Sequence, residues 1–461
     1  MISGTSVQAT TAAIQKLIDD AAAGHHGGVA LIPPGTHVTA TLFLKSGVTL
    51  RIPRGATLQA STDLAHYPLL EAGHNKDRQP YNYLVAVNCD GITIEGDGAI
   101  DGRGEEFWNP PLGDKTQGAR GLFWREKKQR VTPLLEIRHC KNVTLRDFTI
   151  RNSPGWTVHP YCCDNVRITG VKVHSNLFGP NTDGFDINGC RDVWVSDCEL
   201  RCGDDAIIIK STSDARSSER IVVTNCIIES NCATIGLGAE STFDIRDVTV
   251  SNCVCRAALR MIQFEMWEAG TIENVTISNI TGRTMSGVPL ERPIYMDIQH
   301  HERTDGALGK LRNVVISNFV AQTRGRIVLT AADGAMIENV TLRDIQLTYP
   351  EIENPTFTVN HMKSTQMSND SPLSRDVRSA LVADNVRNLR IYNLQLFWPA
   401  PDASHEELQD RPYPGIHGTL PMHALWFRNV TGLVDAPGLR ASLPDVEPIV
   451  QSGSAVMMAS I

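Results

Sequence analysis

The chain has 461 residues, 41% hydrophobic and 20% charged, a make-up that can bury a large core without disulfide or metal staples. Its 43 Lys and Arg against 51 Asp and Glu leave a formal charge of -8, which argues against a dedicated nucleic-acid binder. No run of 18 apolar residues occurs, so no membrane span is expected.

The opening MISGTSVQATTAAIQ lacks the basic and apolar regions of a signal peptide, which points to a cytoplasmic protein, or to a secreted one whose leader has been removed. TAAIQKLIDDAAA, 11–23, carries apolar residues at helical spacing and HHGG stops it, so a capping helix is expected over about 9–26. VALIPPG and VTLRIPRGATLQAS then supply the first strands.

From residue 91 a six-residue phrase returns: GITIEG at 91, NVTLRD at 142, NVRITG at 165, DVWVSD at 192, RIVVTN at 220, DVTVSN at 247, NVTISN at 274, NVVISN at 313, NVTLRD at 339 and NLRIYN at 388. The anchors Val143, Val166, Val193, Ile221, Val248 and Val275 are spaced 23, 27, 28, 27 and 27 apart, and later gaps of 39, 26 and 49 leave room for long loops. Each phrase is a short β-branched strand bounded by turn formers, and no helical segment separates one from the next. The spacing predicts an all-β chain, a parallel β-helix (solenoid) with about three strands per coil and a short N-terminal capping helix. A recurring turn Asn can stack on that of the next coil. The whole chain, 1–461, reads as one domain, with loops over about 351–378 and 398–420 as excursions. Of eleven cysteines ten lie between 140 and 255 in periodic apolar segments, without zinc-type spacing. They read as buried free thiols, which suits a reducing compartment.

Two segments break the repeat: GPNTDGFDINGC, 179–190, and RCGDDAIIIKS, 201–211. Asp183 and Asp204 are separated by roughly one coil, hence on neighbouring rungs about 4.8 Å apart in the stacking direction, and Asp205 follows directly. Three carboxylates this close cannot all stay ionised, so one becomes a candidate general acid beside ionised partners, the pair that glycoside hydrolysis needs. Turn capping by the aspartates and a calcium site are the competing readings.

These motifs carry a resemblance. TAAIQKLIDDAAAGHHGGVALIPPGTH, GDGAIDGRGEEFW, NSPGWTVHP, GPNTDGFDI, GDDAIIIKS and PIYMDIQ, in this order, resemble the polygalacturonase family of pectin-degrading glycoside hydrolases, family 28, over about residues 9–435. The resemblance implies a right-handed parallel β-helix and hydrolysis with inversion, with Asp204 as general acid, Asp183 and Asp205 holding and activating water, and Asn181 in support. Inverting carboxyls stand about 6.5–9.5 Å apart to admit that water. It implies no cofactor and no metal.

Two positions depart from the family pattern. Cys232, in SNCATIGLGAES, stands where a histidine is expected, and Ile262, in ALRMIQFEMW, where a lysine would follow Arg260. Losing a cation that pairs with a uronate implies a substrate that is neutral near the cleavage point, or that bears its acid differently. Further candidates for contact with the sugar are Arg260, which can instead pair with Glu265, and Glu240, Glu265, Lys210, Trp156, His159 and Tyr295. The long excursions favour exo action on an oligosaccharide. A catalytically silent sugar-binding β-helix and a polysaccharide lyase are the rival classes. Neither nucleic acid nor membrane is expected as a partner, and solenoid ends and flanks leave homo-oligomers open.

Overall fold

The computed structural model describes residues 6–24, 27–73, 75–113, 123–126, 129–284, 291–300, 306–349, 352–353, 379–397, 418–419, 423–432, 440–441 and 447–452. Most of the expected excursions 351–378 and 398–420 therefore lie outside the described residues. The chain divides into two compact units, Met1–Pro111 with Phe123–Ser230, and Leu112–Leu122 with Asn231–Ile461.

In the first unit the helix Val7–Ala22 begins two residues before the segment expected to start it at 9, because Ser6 is a competent cap: its hydroxyl accepts from the Ala9 amide at 3.2 Å. Ile14 and Ile18 form its buried stripe. Gln15 exchanges two hydrogen bonds with the Phe43 backbone, so the helix is stitched to the first strands as well as packed on them.

Three columns of parallel strands follow. One runs Leu42–Phe43, Leu84–Val87, Leu135–Arg138, Val158–Tyr161, Phe185–Asn188 and Ile207–Ser211. A second carries the repeated phrase, and its register aligns Val143 with Val166, Val193 and Ile221, all wholly buried. Each such side chain contributes about 1.5–3 kcal/mol on burial. A third ends on Glu199–Cys202, paired with the start of Ile227–Ser241. In the second unit the same phrase aligns Val248, Val275, Val314, Val340 and Leu389 in register.

Backbone geometry explains why the phrase is six residues long. Its first and last positions are left-handed: Asn142 and Asp147, Asn165 and Gly170, Asp192 and Asp197, Asn274 and Asn279, Asn313 and Asn318 all have φ between +52° and +65°. Asn, Asp and Gly are the residues that enter this region at least cost. Once there, the side chains ladder. Asn165 donates to Asn142 at 2.6 Å in the first unit, and Asn313 to Asn274 and Asn339 to Asn313 at 3.2 and 2.9 Å in the second. The eleven cysteines are free thiols, all buried except the half-buried Cys162 and Cys232. Those at 140, 163 and 190 form a ladder of their own, each sulfur accepting from the backbone amide one coil earlier at 3.3–3.4 Å.

Candidate active site

Asp183 and Asp205 sit just ahead of two paired strands of the first unit. Phe185 pairs with Ile207, and the Gly184 amide donates to the Asp205 carbonyl at 2.9 Å. That register sets Asp205, rather than Asp204, directly beside Asp183 on the next rung, with Asp204 one residue earlier. A carboxylate oxygen of Asp204 lies within 4.8 Å of one of Asp205, closer than the roughly 6.5–9.5 Å expected of an inverting pair. Asp204 and Asp205 are half-buried, whereas Asp183 is only 3% exposed. The Asp204 carboxylate accepts from the Asp205 amide at 3.0 Å and from Asn181 Nδ2 at 3.4 Å, and the Ser230 hydroxyl ties down the Asp204 carbonyl at 2.7 Å.

Among the described residues, Asp183 Oδ1 has no hydrogen-bond donor. Burial first, then the charges of Asp186 and Asp204, push its carboxyl well above the ordinary range; Lys210 pulls it back and Asp205 adds to the rise. The proton belongs to the cluster rather than to any one of its carboxyls. This has a stability consequence. A carboxyl whose folded pKa lies above its unfolded value gives its full stability below the unfolded value, and that stability is lost as pH rises toward the folded one. Asp183→Asn removes the titration. It is expected to raise the melting temperature at pH 7 by a few degrees, at roughly 2–4 °C per kcal/mol for a large domain, with the gain vanishing by about pH 4 in calorimetry.

Lys210 is not an open cation. Its ammonium is buried 3.5 Å from Asp186 Oδ1 and 4.3 Å above the Trp156 ring. Trp156 and His159 are likewise enclosed rather than presented to a sugar: Trp156 is buried and His159 is 0% exposed. His159 belongs to a closed ring of six side chains. Arg78 donates to Glu136 Oε1 at 3.4 Å and to Asp214 Oδ2 at 2.7 Å. The Thr212 hydroxyl donates to Asp214 Oδ1 at 2.7 Å, and Asn188 Nδ2 to the Thr212 hydroxyl at 3.0 Å. The Thr212 amide, at 3.1 Å, fixes Asn188 Oδ1 as acceptor, which turns the Asn188 amide nitrogen toward His159 Nε2 at 3.3 Å. His159 therefore carries its proton on Nδ1 and donates to Glu136 at 2.6 Å. Burial lowers the imidazole pKa against the pull of Glu136, with Arg78 and Lys210 adding to the fall, so the ring is neutral. Burial also opposes ionisation of Glu136, but His159, Arg78 and Arg138 bring its carboxyl below the ordinary value.

Sequence reasoning passed over Asp77, Arg78, Arg130, Glu136 and Asp214. Arg78 and Asp77 lie in an irregular segment with no period to mark them.

The second unit holds Glu240, Arg260, Glu265 and Tyr295. Arg260 Nη1 donates to Glu265 Oε1 and Gln263 Oε1, both at 2.5 Å, and its guanidinium lies 4.8 Å from the Tyr295 ring. Tyr295 donates to Asp297 Oδ2 at 3.1 Å, where Trp267 Nε1 also donates at 3.0 Å. Glu240 is half-buried. Ile262 corrects one expectation. It is 0% exposed and pairs with Ile294 in the core, so its side chain occupies no sugar-facing position. Gln263, rather than Ile262, shares Arg260 Nη1 with Glu265.

The family described as Glycosyl hydrolases family 28 matches residues 31–369. The chain belongs to this family. A probable polygalacturonase of Vitis vinifera is 28% identical over 281 residues, 57% of this chain and 55% of the relative. The chain thus spans about half the length of that relative. An endo-polygalacturonase of Pectobacterium carotovorum subsp. carotovorum is 22% identical over 355 residues, 73% and 84% of the two chains. Among solved structures, a hyperthermoactive exopolygalacturonase from Thermotoga maritima gives a TM-score of 0.64 at 20% identity, covering 86% of this chain and 89% of the other. A family 28 exopolygalacturonase of Yersinia enterocolitica gives 0.65 at 18%, covering 95% and 76%. At these identities the solved family 28 members show a shared fold, the right-handed parallel β-helix.

Proposed function

We propose that this chain is a glycoside hydrolase that cleaves a plant or microbial oligosaccharide from one end, with inversion, and that its substrate is not a plain galacturonan. Asp204 gives its proton to the glycosidic oxygen as the bond from that oxygen to the anomeric carbon breaks. Water attacks the anomeric carbon from the opposite face, and its one proton is taken up by the Asp183–Asp205 carboxylate pair, which then shares it. The observation that carries this reading is the division of labour in the cluster. Asp183 is buried and costly to ionise, so its carboxylate is a strong proton acceptor, while Asp204 is half-exposed and within reach of a leaving group.

Exo action draws support from the closed ring. Arg78 and the turn at Thr212–Asp214 roof the outer face of the coils that precede the aspartates, where Glu136, His159 and Asn188 are all buried. A glycan lying along an open groove needs that face free. A substrate other than galacturonan draws support from Arg260, a buried guanidinium whose charge Glu265 already meets and whose Nη1 Gln263 shares. Free thiols throughout suit a cytoplasmic enzyme acting on imported oligosaccharides.

The test is a time course on a panel of neutral and uronate oligosaccharides of graded length. One-unit shortening of a neutral or mixed chain is expected. Random internal cuts would overturn exo action. Preference for homogalacturonan would overturn the substrate class. Binding without cleavage across the panel would mark a silent β-helix.

A further inference from the structure

Arg130 is 0% exposed, yet nothing in the hydrolytic scheme uses it. Its Nη2 donates to Asp77 Oδ1 at 2.7 Å and to Asn181 Oδ1 at 3.1 Å, and its Nη1 donates to the Pro180 carbonyl at 2.9 Å. Asn181 in turn donates through Nδ2 to Asp204 Oδ2 at 3.4 Å. Asp77 is itself buried and pinned, its amide held by Asn75 Oδ1 at 2.8 Å and its carbonyl by the Thr132 hydroxyl at 2.9 Å.

We infer that Arg130, anchored by Asp77, is a positioning residue for Asp204, acting through the amide of Asn181. This rests on the reading of Asp204 as general acid. The two ends of an asparagine amide are almost the same shape, so packing alone does not choose between them. A guanidinium is a donor with no acceptor capacity. Facing Arg130, Asn181 must turn its oxygen inward, and its amide nitrogen is thereby aimed at Asp204. The backbone of Asn181 is left-handed, at φ +50°, which places the side chain between the two groups. The hydrogen bond from Asn181 stabilises the carboxylate that forms when Asp204 delivers its proton, and it holds that carboxyl in one rotamer. Asp77 matters because it matches the charge of a guanidinium wholly out of water.

Arg130→Lys keeps the charge that Asp77 requires but replaces the planar fork with a single ammonium. With the amide free to turn, Asp204 loses a donor and its carboxyl becomes harder to ionise. The alkaline limb of the kcat/KM pH profile, which reports loss of the acid's proton, is then expected to move up by roughly half to one pH unit, the worth of one modest charge-assisted hydrogen bond. At the optimum kcat should fall about tenfold with KM little changed. In an Asn181→Ala background the same substitution should leave the limb where Asn181→Ala alone puts it, since the connection is already cut. Asp77→Glu, a milder change should Arg130→Lys fail to fold, should move the limb in the same direction by less, again only when Asn181 is present. An unmoved limb with a lowered melting temperature, or an equal shift in both backgrounds, overturns the inference and leaves Arg130 a structural ion pair. If Asp204→Asn keeps the wild-type rate on a natural oligosaccharide, the general-acid reading itself has failed; a large loss there with an unmoved limb in Arg130→Lys fails the positioning role alone.

Discussion

Asp204→Asn is expected to lower kcat on a natural oligosaccharide by about 10²–10⁴ while leaving the fold intact. The substitution conserves shape, and the remaining oxygen can still accept from the Asp205 amide that now holds Oδ1 at 3.0 Å. What disappears is the proton for the departing oxygen. The loss should therefore depend on the leaving group. An aryl glycoside whose phenolate departs unaided needs little acid help, and on it Asp204→Asn should recover most of its rate. Asp205→Asn, which weakens water activation instead, should lose rate on both substrates alike. Steady-state kinetics on the two substrates separates these roles. Equal losses for Asp204→Asn on both would remove it from the acid position.

Arg324→Met is expected to cost about 3–5 kcal/mol of stability. Glu291 is 0% exposed, and the guanidinium of Arg324 grips its Oε1, with Nε at 3.1 Å and Nη2 closer. Oε2 accepts from the Thr284 hydroxyl at 2.6 Å, and the Thr323 hydroxyl lies 2.9 Å behind it, free to donate to Thr284 Oγ1. Removing the arginine strands a carboxylate where water cannot reach it. Adding Glu291→Gln should restore most of the loss, because an amide keeps the Thr284 contact without the charge. Urea midpoints of the wild type, both single variants and the double variant measure this, and a double variant no better than Arg324→Met would contradict it.

The parts of the fold that were legible in the sequence share a local cause. The phrase from NVTLRD to NLRIYN is visible because two left-handed turns five positions apart admit few residue types, and because the four positions between them alternate between core and surface. The anchors read from the phrase are the residues the register aligns. The aspartates were legible for the same reason, since they interrupt that pattern. The enclosure of His159 in its ring was not legible, because the ring closes through Arg78 and Asp214, which come from segments without periodicity.

Ile262 was misplaced although a signal existed. Ile262, Gln263, Phe264, Glu265 and Met266 alternate apolar and polar, which marks Gln263 and Glu265 as the pair sharing one face. Following the order of a family motif instead of that alternation set an isoleucine beside Arg260 where the strand sets the Gln263 amide. Arg130 and Asp77 carried no pattern at all, and only their burial together beside Asn181 exposes their connection to Asp204.

The most direct test of the central assignment is proton NMR of the first product that the wild-type chain releases from the best oligosaccharide of the panel, beside Asp204→Asn. Inversion is predicted: the anomeric signal appears first in the configuration opposite to the substrate linkage, equilibrates by mutarotation, and is missing for the variant. A product of retained configuration, or an unsaturated sugar with no new hydrolytic end, would contradict the assignment of Asp183, Asp204 and Asp205.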